Sequence, residues 1–341
     1  MEDKSQNNWC VYSTLPQPSI FVRRFDSKSN RFYYWQVPQE GKFVTQIGIG
    51  ITSLLSLCLP ESKALTDWKV SQDDYKESME ASASYGTVFH RLVQTWLIEG
   101  VVPQELIDEA KAICEANGVS PHTPEKDLLA WILFCEEYEV EPMLIEALLV
   151  SPPIDGNNHY CQAIDLLCKI SVKETRIELV EDGEYKSGPR KGEKKIVENK
   201  IVERVRKIAC LDWKSNFAGK ESKSFYDSHR YQLMAAKRAV EHNYPDVKVD
   251  MLLNWSPMGW RTKPSYTLKQ WNITERDEAL FDNYIRTGLL SGFFTPSGHI
   301  FVPPIFTKDT KSTDYSLLSY TEYVEQVLLA EPIIDDNPSE P

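Results

Sequence analysis

The tightest constraint on this chain is the run Lys207-Ile208-Ala209-Cys210-Leu211-Asp212-Trp213-Lys214-Ser215-Asn216, an apolar stretch broken by an acid and a lysine. It is short, and β-branched or apolar at its core, so it predicts a buried strand rather than a helix. Side chains alternate along a strand, which puts Asp212 and Lys214 on one face and Trp213 on the other. Two readings fit an acid and a lysine at such a place. One is a salt bridge at a sheet edge. The other is a metal-dependent centre that cleaves phosphodiesters, with Asp212 ligating the ion and Lys214 holding or polarising the attacking water. The choice turns on whether the rest of the chain supplies further ligands.

At 341 residues the chain is long enough for one large domain or two small ones. The net charge of -12 argues against a generic nucleic-acid coat. It does not exclude an enzyme acting on DNA, because placement of the basic residues matters more than their sum. The polar start and the interrupted apolar stretch from Ile47 to Pro60 predict neither a signal peptide nor a membrane span. The 7 cysteines include no C-x-x-C pair, a pattern expected of reduced, buried thiols in a cytoplasm rather than disulfides or structural zinc.

Along the chain, alternating residues from Ser19 to Thr45 with a turn at Glu40-Gly41 predict a β-hairpin or small β-subdomain. Gly48 and Gly50 are too few and wrongly spaced for a phosphate loop. A helical region around Leu65 and Trp68 follows. The segment 73–100 carries apolar residues at Phe89, Leu92, Val93, Trp96 and Leu97, with Gly86 and His90 together beside that stripe. Glycine there lets another backbone approach, so His90 reads either as a hydrogen-bonded, half-buried histidine or as a ligand. Residues 103–140 read as packing helices separated at Pro121 and Pro124.

Strands then take over: Met143 to Val150, a turn from Pro152 to Asn158, and a return from Tyr160 to Ile170. Asp165 interrupts that return strand, and an unpaired carboxylate there is costly to desolvate. Either an arginine or a divalent metal should face it. Residues 172–206 read as a long hairpin arm, locally basic from Lys186 to Arg206, either a solvated excursion or a phosphate contact. A helix from about Ser224 to His242, strands over 247–255 and 266–273, helices over 275–290 and 319–330, and an acidic tail complete the reading.

Taken in order, Gly86-x-x-x-His90, Asp165, Asp212-Trp213-Lys214 and Gln232 resemble the pattern G-x-x-x-H, G-x-x-D, D-x-K, Q-x-x-x-Y of the RecB-type branch of the PD-(D/E)XK nuclease superfamily. Ile51-Thr52-Ser53-Leu54-Leu55 with Trp68 looks like the lead-in of phage and bacterial members. The resemblance spans about residues 47–290. It departs from the pattern at Gln162, where the family has glycine, and at Ala236, where it has tyrosine.

The resemblance implies an α/β (α+β) fold with a restriction-endonuclease-like core: a mixed central sheet flanked by helices, with an N-terminal β-subdomain. Its expected parts are a hairpin region over 1–46, a nuclease domain over 47–305 with the arm at 172–206, and a C-terminal helix and tail over 306–341. It implies a metal-dependent deoxyribonuclease, exonuclease-like, of recombination, repair or phage replication, in the cytoplasm, or the host cytoplasm for a phage-encoded chain. His90, Asp165, Asp212 and the Trp213 carbonyl would hold Mg²⁺ or Mn²⁺. Lys214 would position water, and Gln232 would orient Lys214 or the scissile strand. Glu146 would support the ligands from behind or simply lie at an edge.

Family members with an iron-sulfur cluster carry three cysteines after the glutamine motif, and none follows Cys210 here, so no cluster is expected. DNA is the implied partner, met by Lys191, Lys194, Lys195 and Lys200, with a helicase or recombination protein as a further candidate and no membrane. The competing expectation is a nuclease-fold protein that binds nucleic acid or a partner without cutting.

Overall fold

The computed structural model describes residues 9–290 apart from 21, 27–30, 40–41, 60–62, 72–74, 155–158, 185 and 218–223. The helix expected over 319–330, the acidic tail and the Glu40-Gly41 turn lie outside the described residues. In chain order the elements are β1 (Tyr12–Ser13), β2 (Val22–Asp26), β3 (Arg31–Gln39), β4 (Lys42–Gly50), α1 (Ile51–Cys58), α2 (Lys63–Ser71), α3 (Tyr75–Glu99), α4 (Gln104–Ala116) and α5 (Thr123–Tyr138). Then follow β5 (Glu141–Val150), β6 (Tyr160–Glu184), β7 (Lys194–Trp213), α6 (Asp227–Asn243), β8 (Met251–Pro257), β9 (Tyr266–Gln270) and α7 (Glu275–Leu290).

The strands form one mixed, mostly antiparallel sheet with helices on its faces, in the order β2-β3-β4-β6-β7-β8-β9, with β5 on the other side of β6 and β1 beside β5. β6 meets β4 in parallel at Tyr160 and Cys161, then runs antiparallel to β7 from Leu166 onward. The N-terminal strands, expected as a β-subdomain, are therefore hydrogen-bonded into the same sheet. β4 itself runs across the expected boundary at residue 46. Its Gly48 is required by packing, since a Cβ there would meet the Trp35 ring at 2.9 Å and the His159 carbonyl at 3.1 Å.

Local chemistry explains the helices. Ala81, Tyr85, Val88, Phe89, Leu92 and Val93 form the buried stripe of α3, at helical spacing. Pro124 sits in the first turn of α5, where its missing N–H is no loss, and Glu139 ends that helix in the left-handed conformation at φ 50°. α7 is entered through a reciprocal cap, with Thr274 N–H donating to Asp277 and Asp277 N–H to the Thr274 hydroxyl.

One hydrophobic cluster joins the sheet to α1, α6 and α7; a second joins it to α3, α4 and α5. The second holds Trp213, Trp255, Trp131 and Phe134, with the Trp131 ring edge-on to Trp213 at 5.5 Å and to Trp255 at 5.1 Å. Burying side chains of this size contributes about 3 kcal/mol each, enough to fix the end of β7 in place. The cysteines are all free, and Cys114 and Cys135 belong to this packing, as expected. No helix among the described residues is long and apolar enough to cross a membrane.

Candidate functional site

Five elements bring polar side chains to the inner end of β7: α3 carries His90, β5 carries Glu146, β6 carries Asp165, β7 ends at Asp212 and Trp213, and α6 carries Gln232. Trp213 faces the aromatic cluster, while Asp212 and Lys214 turn toward α6, as strand alternation demands.

Glu146 and Asp165 lie opposite each other, between the register pairs Ile145↔Leu166 and Ala147↔Ile164. The alternation of both strands slips phase here. Leu144 and Ala147 pack in the first cluster and Ile145 in the second; on β6, Ile164 packs in the first and Leu166 in the second. The slip coincides with a left-handed backbone at Glu146, φ 47°, a strained state for a non-glycine residue. Both carboxylates thereby leave the core without disrupting the strands around them.

His90 lies against this pair. Its Nδ1 is 3.1 Å from Glu146 Oε1, its Nε2 is 3.3 Å from the Trp213 carbonyl oxygen, and Nε2 is 4.0 Å from Asp165 Oδ2. Burial pushes the imidazole pKa down, but the Asp165 charge and the Glu146 hydrogen bond outweigh it and raise the pKa to about 9. At neutral pH the ring is therefore charged and donates from both nitrogens. Gln94, one turn beyond His90 on α3, donates to the same Glu146 oxygen at 2.9 Å. The Trp213 N–H donates to Asp165 Oδ2 at 3.0 Å. Glu146 Oε2 and Asp165 Oδ1 thus have no protein partner among the described residues, and the two side chains are 25% and 16% exposed.

One ligand atom from each of His90, Glu146 and Asp165 lies within 4.8 Å of the others. With the Trp213 carbonyl beside them, the set is two carboxylates, a backbone oxygen and an imidazole. That donor chemistry fits a hard divalent cation such as Mg²⁺ or Mn²⁺ better than a soft one. The uncommitted carboxylate oxygens are where such an ion would be expected to bind.

Asp212, expected as a ligand, stands outside this group of three. Lys214 Nζ donates to its Oδ1 at 2.8 Å, and the Asn254 amide donates to its Oδ2. Asn254 is fully buried on β8, and its own oxygen accepts from Trp271 Nε1 at 2.7 Å, which fixes the amide so that its NH₂ faces Asp212. Burial raises the Asp212 pKa against the pull of Lys214, and burial likewise raises that of Asp165. Burial would lower the Lys214 pKa, but Asp212 and Asp165 together raise it, so the ammonium is held charged. Gln232 Oε1 accepts from that ammonium at 3.5 Å.

The remaining expected positions fare differently. Gly86 meets a side chain rather than a backbone: a Cβ there would lie 3.4 Å from Ser215 Oγ, an ordinary contact, so the close backbone approach expected at this glycine is corrected. Gln162 is buried on β6 with an Oε1 that finds no partner among the described residues, and Ala236 packs inside the first cluster.

The arm exists as a ribbon of β6 and β7, paired out to Glu184↔Lys194, and acids of β6 stand beside its basic residues. Its β6 side brings Glu174, Glu178, Glu181, Asp182 and Glu184 across from the basic β7 side. Lys194 pairs with Glu181 and Lys195 with Asp182, both at 2.7 Å. Of the four lysines expected to meet phosphate, Lys194 and Lys195 are thus engaged by acids of β6, which reading one strand alone missed, while Lys191 and Lys200 make no ion pair among the described residues.

Sequence reasoning also missed Gln94 and Asn254. Both carried a signal: Gln94 lies four residues after His90 on one helix face, and Asn254 interrupts the apolar run Met251-Leu252-Leu253 as Asp165 interrupts its own strand. A scan against protein-family models found no match for the chain, and a search of curated proteins found none either.

Proposed function

We propose that the chain is a Mg²⁺- or Mn²⁺-dependent deoxyribonuclease with a restriction-endonuclease-like core, of the RecB-type branch. The observation that carries the reading is the meeting of His90, Glu146, Asp165 and the Trp213 carbonyl beside the Asp212–Lys214 pair, at the end of one strand. A salt bridge at a sheet edge explains Asp212 and Lys214 but leaves two further carboxylates opposite each other with oxygens uncommitted.

His90, Glu146, Asp165 and the Trp213 carbonyl would hold the ion, which supplies Lewis-acid polarisation of a phosphodiester oxygen and a more acidic water. Lys214, held charged by Asp212, offers a fixed positive group for the phosphate oxygens as negative charge builds on them. Gln232 and Asn254 keep that pair in place, from α6 and β8 respectively. Gln94 holds Glu146 toward the site.

The test is cleavage of end-labelled linear DNA and covalently closed circular DNA by the purified chain with Mg²⁺ or Mn²⁺. Metal-dependent loss of the linear form is expected, with closed circles surviving if the enzyme works from ends. DNA binding without cleavage under every metal condition would favour the non-cutting nuclease-fold reading.

A further inference from the structure

The distal ribbon of β6 and β7 has an apolar face directed at nothing among the described residues. Register places Thr175 opposite Val202, Ile177 opposite Lys200, Leu179 opposite Glu198 and Glu181 opposite Ile196, all on one face. Ile177, Leu179, Ile196 and Val202 are 54%, 70%, 56% and 61% exposed. A two-stranded ribbon is marginally stable alone in water, and this one reaches roughly 40 Å past Ser171 at about 3.3 Å per residue. Four large apolar side chains on one exposed face call for a covering surface.

We infer that the cover is a second copy of this chain, with the two arms packed face to face and their strands antiparallel. The face is complementary to itself. A two-fold axis lying across the ribbon between the Ile177–Lys200 and Leu179–Glu198 pairs sets Ile177 of one copy over Leu179 of the other, and Val202 over Ile196. The same axis sets Lys200 over Glu198, twice. Neither Lys200 nor Glu198 makes an ion pair among the described residues, so both are open to that exchange. Packing base over base instead, about an axis along the ribbon, would lay β6 over β7 and set Lys200 against Ile177 and Glu198 against Leu179, charge on apolar side chain at each place. Nucleic acid fits this face less well, because its centre is apolar and Glu198 and Glu181 lie on it.

Sedimentation equilibrium of the full chain in about 0.15 M salt reads the inference directly, with far-UV melting of each variant as the folding control. The wild type is expected as a dimer and Leu179→Glu as a folded monomer. Lys200→Glu sets like charges over each other and should weaken the dimer on the order of tenfold. Adding Glu198→Lys to it should restore the wild-type constant, since the exchanged charges again meet their opposites. A monomeric wild type, or a Leu179→Glu variant that stays dimeric, overturns the inference. A double variant no tighter than Lys200→Glu overturns the antiparallel arrangement. A monomeric wild type whose Leu179→Glu variant loses DNA affinity assigns the face to nucleic acid instead.

Discussion

The two ends of the β6–β7 pair invert the usual rule in opposite ways. At the inner end the strands bring Asp165, Asp212 and Lys214 into a largely enclosed place; at the outer end they hold Ile177, Leu179 and Val202 in solvent. A buried polar group and an exposed apolar patch are the two observations that carry information about function, since the reverse of each needs no explanation. Both ends are also incomplete in the same sense. Among the described residues, the inner end has carboxylate oxygens without donors, and the outer end has an apolar face without a cover.

The largest effect should come from breaking the inner end. Asp212→Ala or Lys214→Ala is expected to reduce cleavage by at least about a thousandfold, the scale of removing a preorganised charge from an active site. The structure adds a cost: deleting either partner leaves the other charge half-enclosed, so melting should report a loss of about 3 kcal/mol. Asp212→Asn keeps the shape and should lose activity with less destabilisation. A variant that cuts at the wild-type rate would detach chemistry from this end of the strands.

Next in size is the aromatic wall behind the site. Trp213→Ala removes a fully buried ring and should cost about 4 kcal/mol in chemical denaturation, more than any single substitution on the distal ribbon. A loss below about 1 kcal/mol would mean the inner end is not held by this packing.

The His90 charge gives a pH signature that the arm lacks. Its pKa is raised to about 9, so in metal-free protein its contribution to stability is full below its unfolded value near 6.5 and is lost as pH rises through about 9. Melting of the wild type and His90→Ala from pH 6 to pH 10 should show the gap between them narrowing as pH rises. The same proton competes with an ion, so metal affinity should rise over that range. His90→Ala and Gln94→Ala should each raise the Mn²⁺ requirement, by about tenfold for Gln94→Ala, while leaving DNA affinity in the absence of metal nearly unchanged.

The smallest effect belongs to the ribbon's cations. Lys194→Ala with Lys195→Ala removes two exposed ion pairs and should change stability by less than about 1 kcal/mol. Because those lysines are already paired, the salt slope of DNA binding should barely move. A slope reduced by about 2 would return the arm to phosphate contact.

Element identity was legible in the sequence because hydrophobic periodicity is local: the α3 stripe, the Asp165 strand and the Asp212 strand stand where the pattern put them. The ligand set was legible only in part. Glu146 reads either as a support for the ligands or as an edge residue until the left-handed backbone and the phase slip bring it opposite Asp165, and neither can be read from strand alternation. Asp212 drew attention through its neighbour Lys214, yet Asn254 on an adjacent strand occupies its second oxygen, a pairing set by sheet order. The ion pairs of Lys194 and Lys195 were hidden for a related reason: charge counted along one strand says nothing of the strand laid beside it.

The claim at the centre of this account is that His90, Glu146 and Asp165 form a divalent-metal site. Electron paramagnetic resonance during Mn²⁺ titration of the purified full chain tests it most directly, comparing the wild type with Asp165→Asn and Glu146→Gln, both folded by melting. Saturable binding by the wild type is expected, weakened at least about tenfold in each variant. Absence of saturable Mn²⁺ binding by the wild type, or the same affinity in all three proteins, would contradict it.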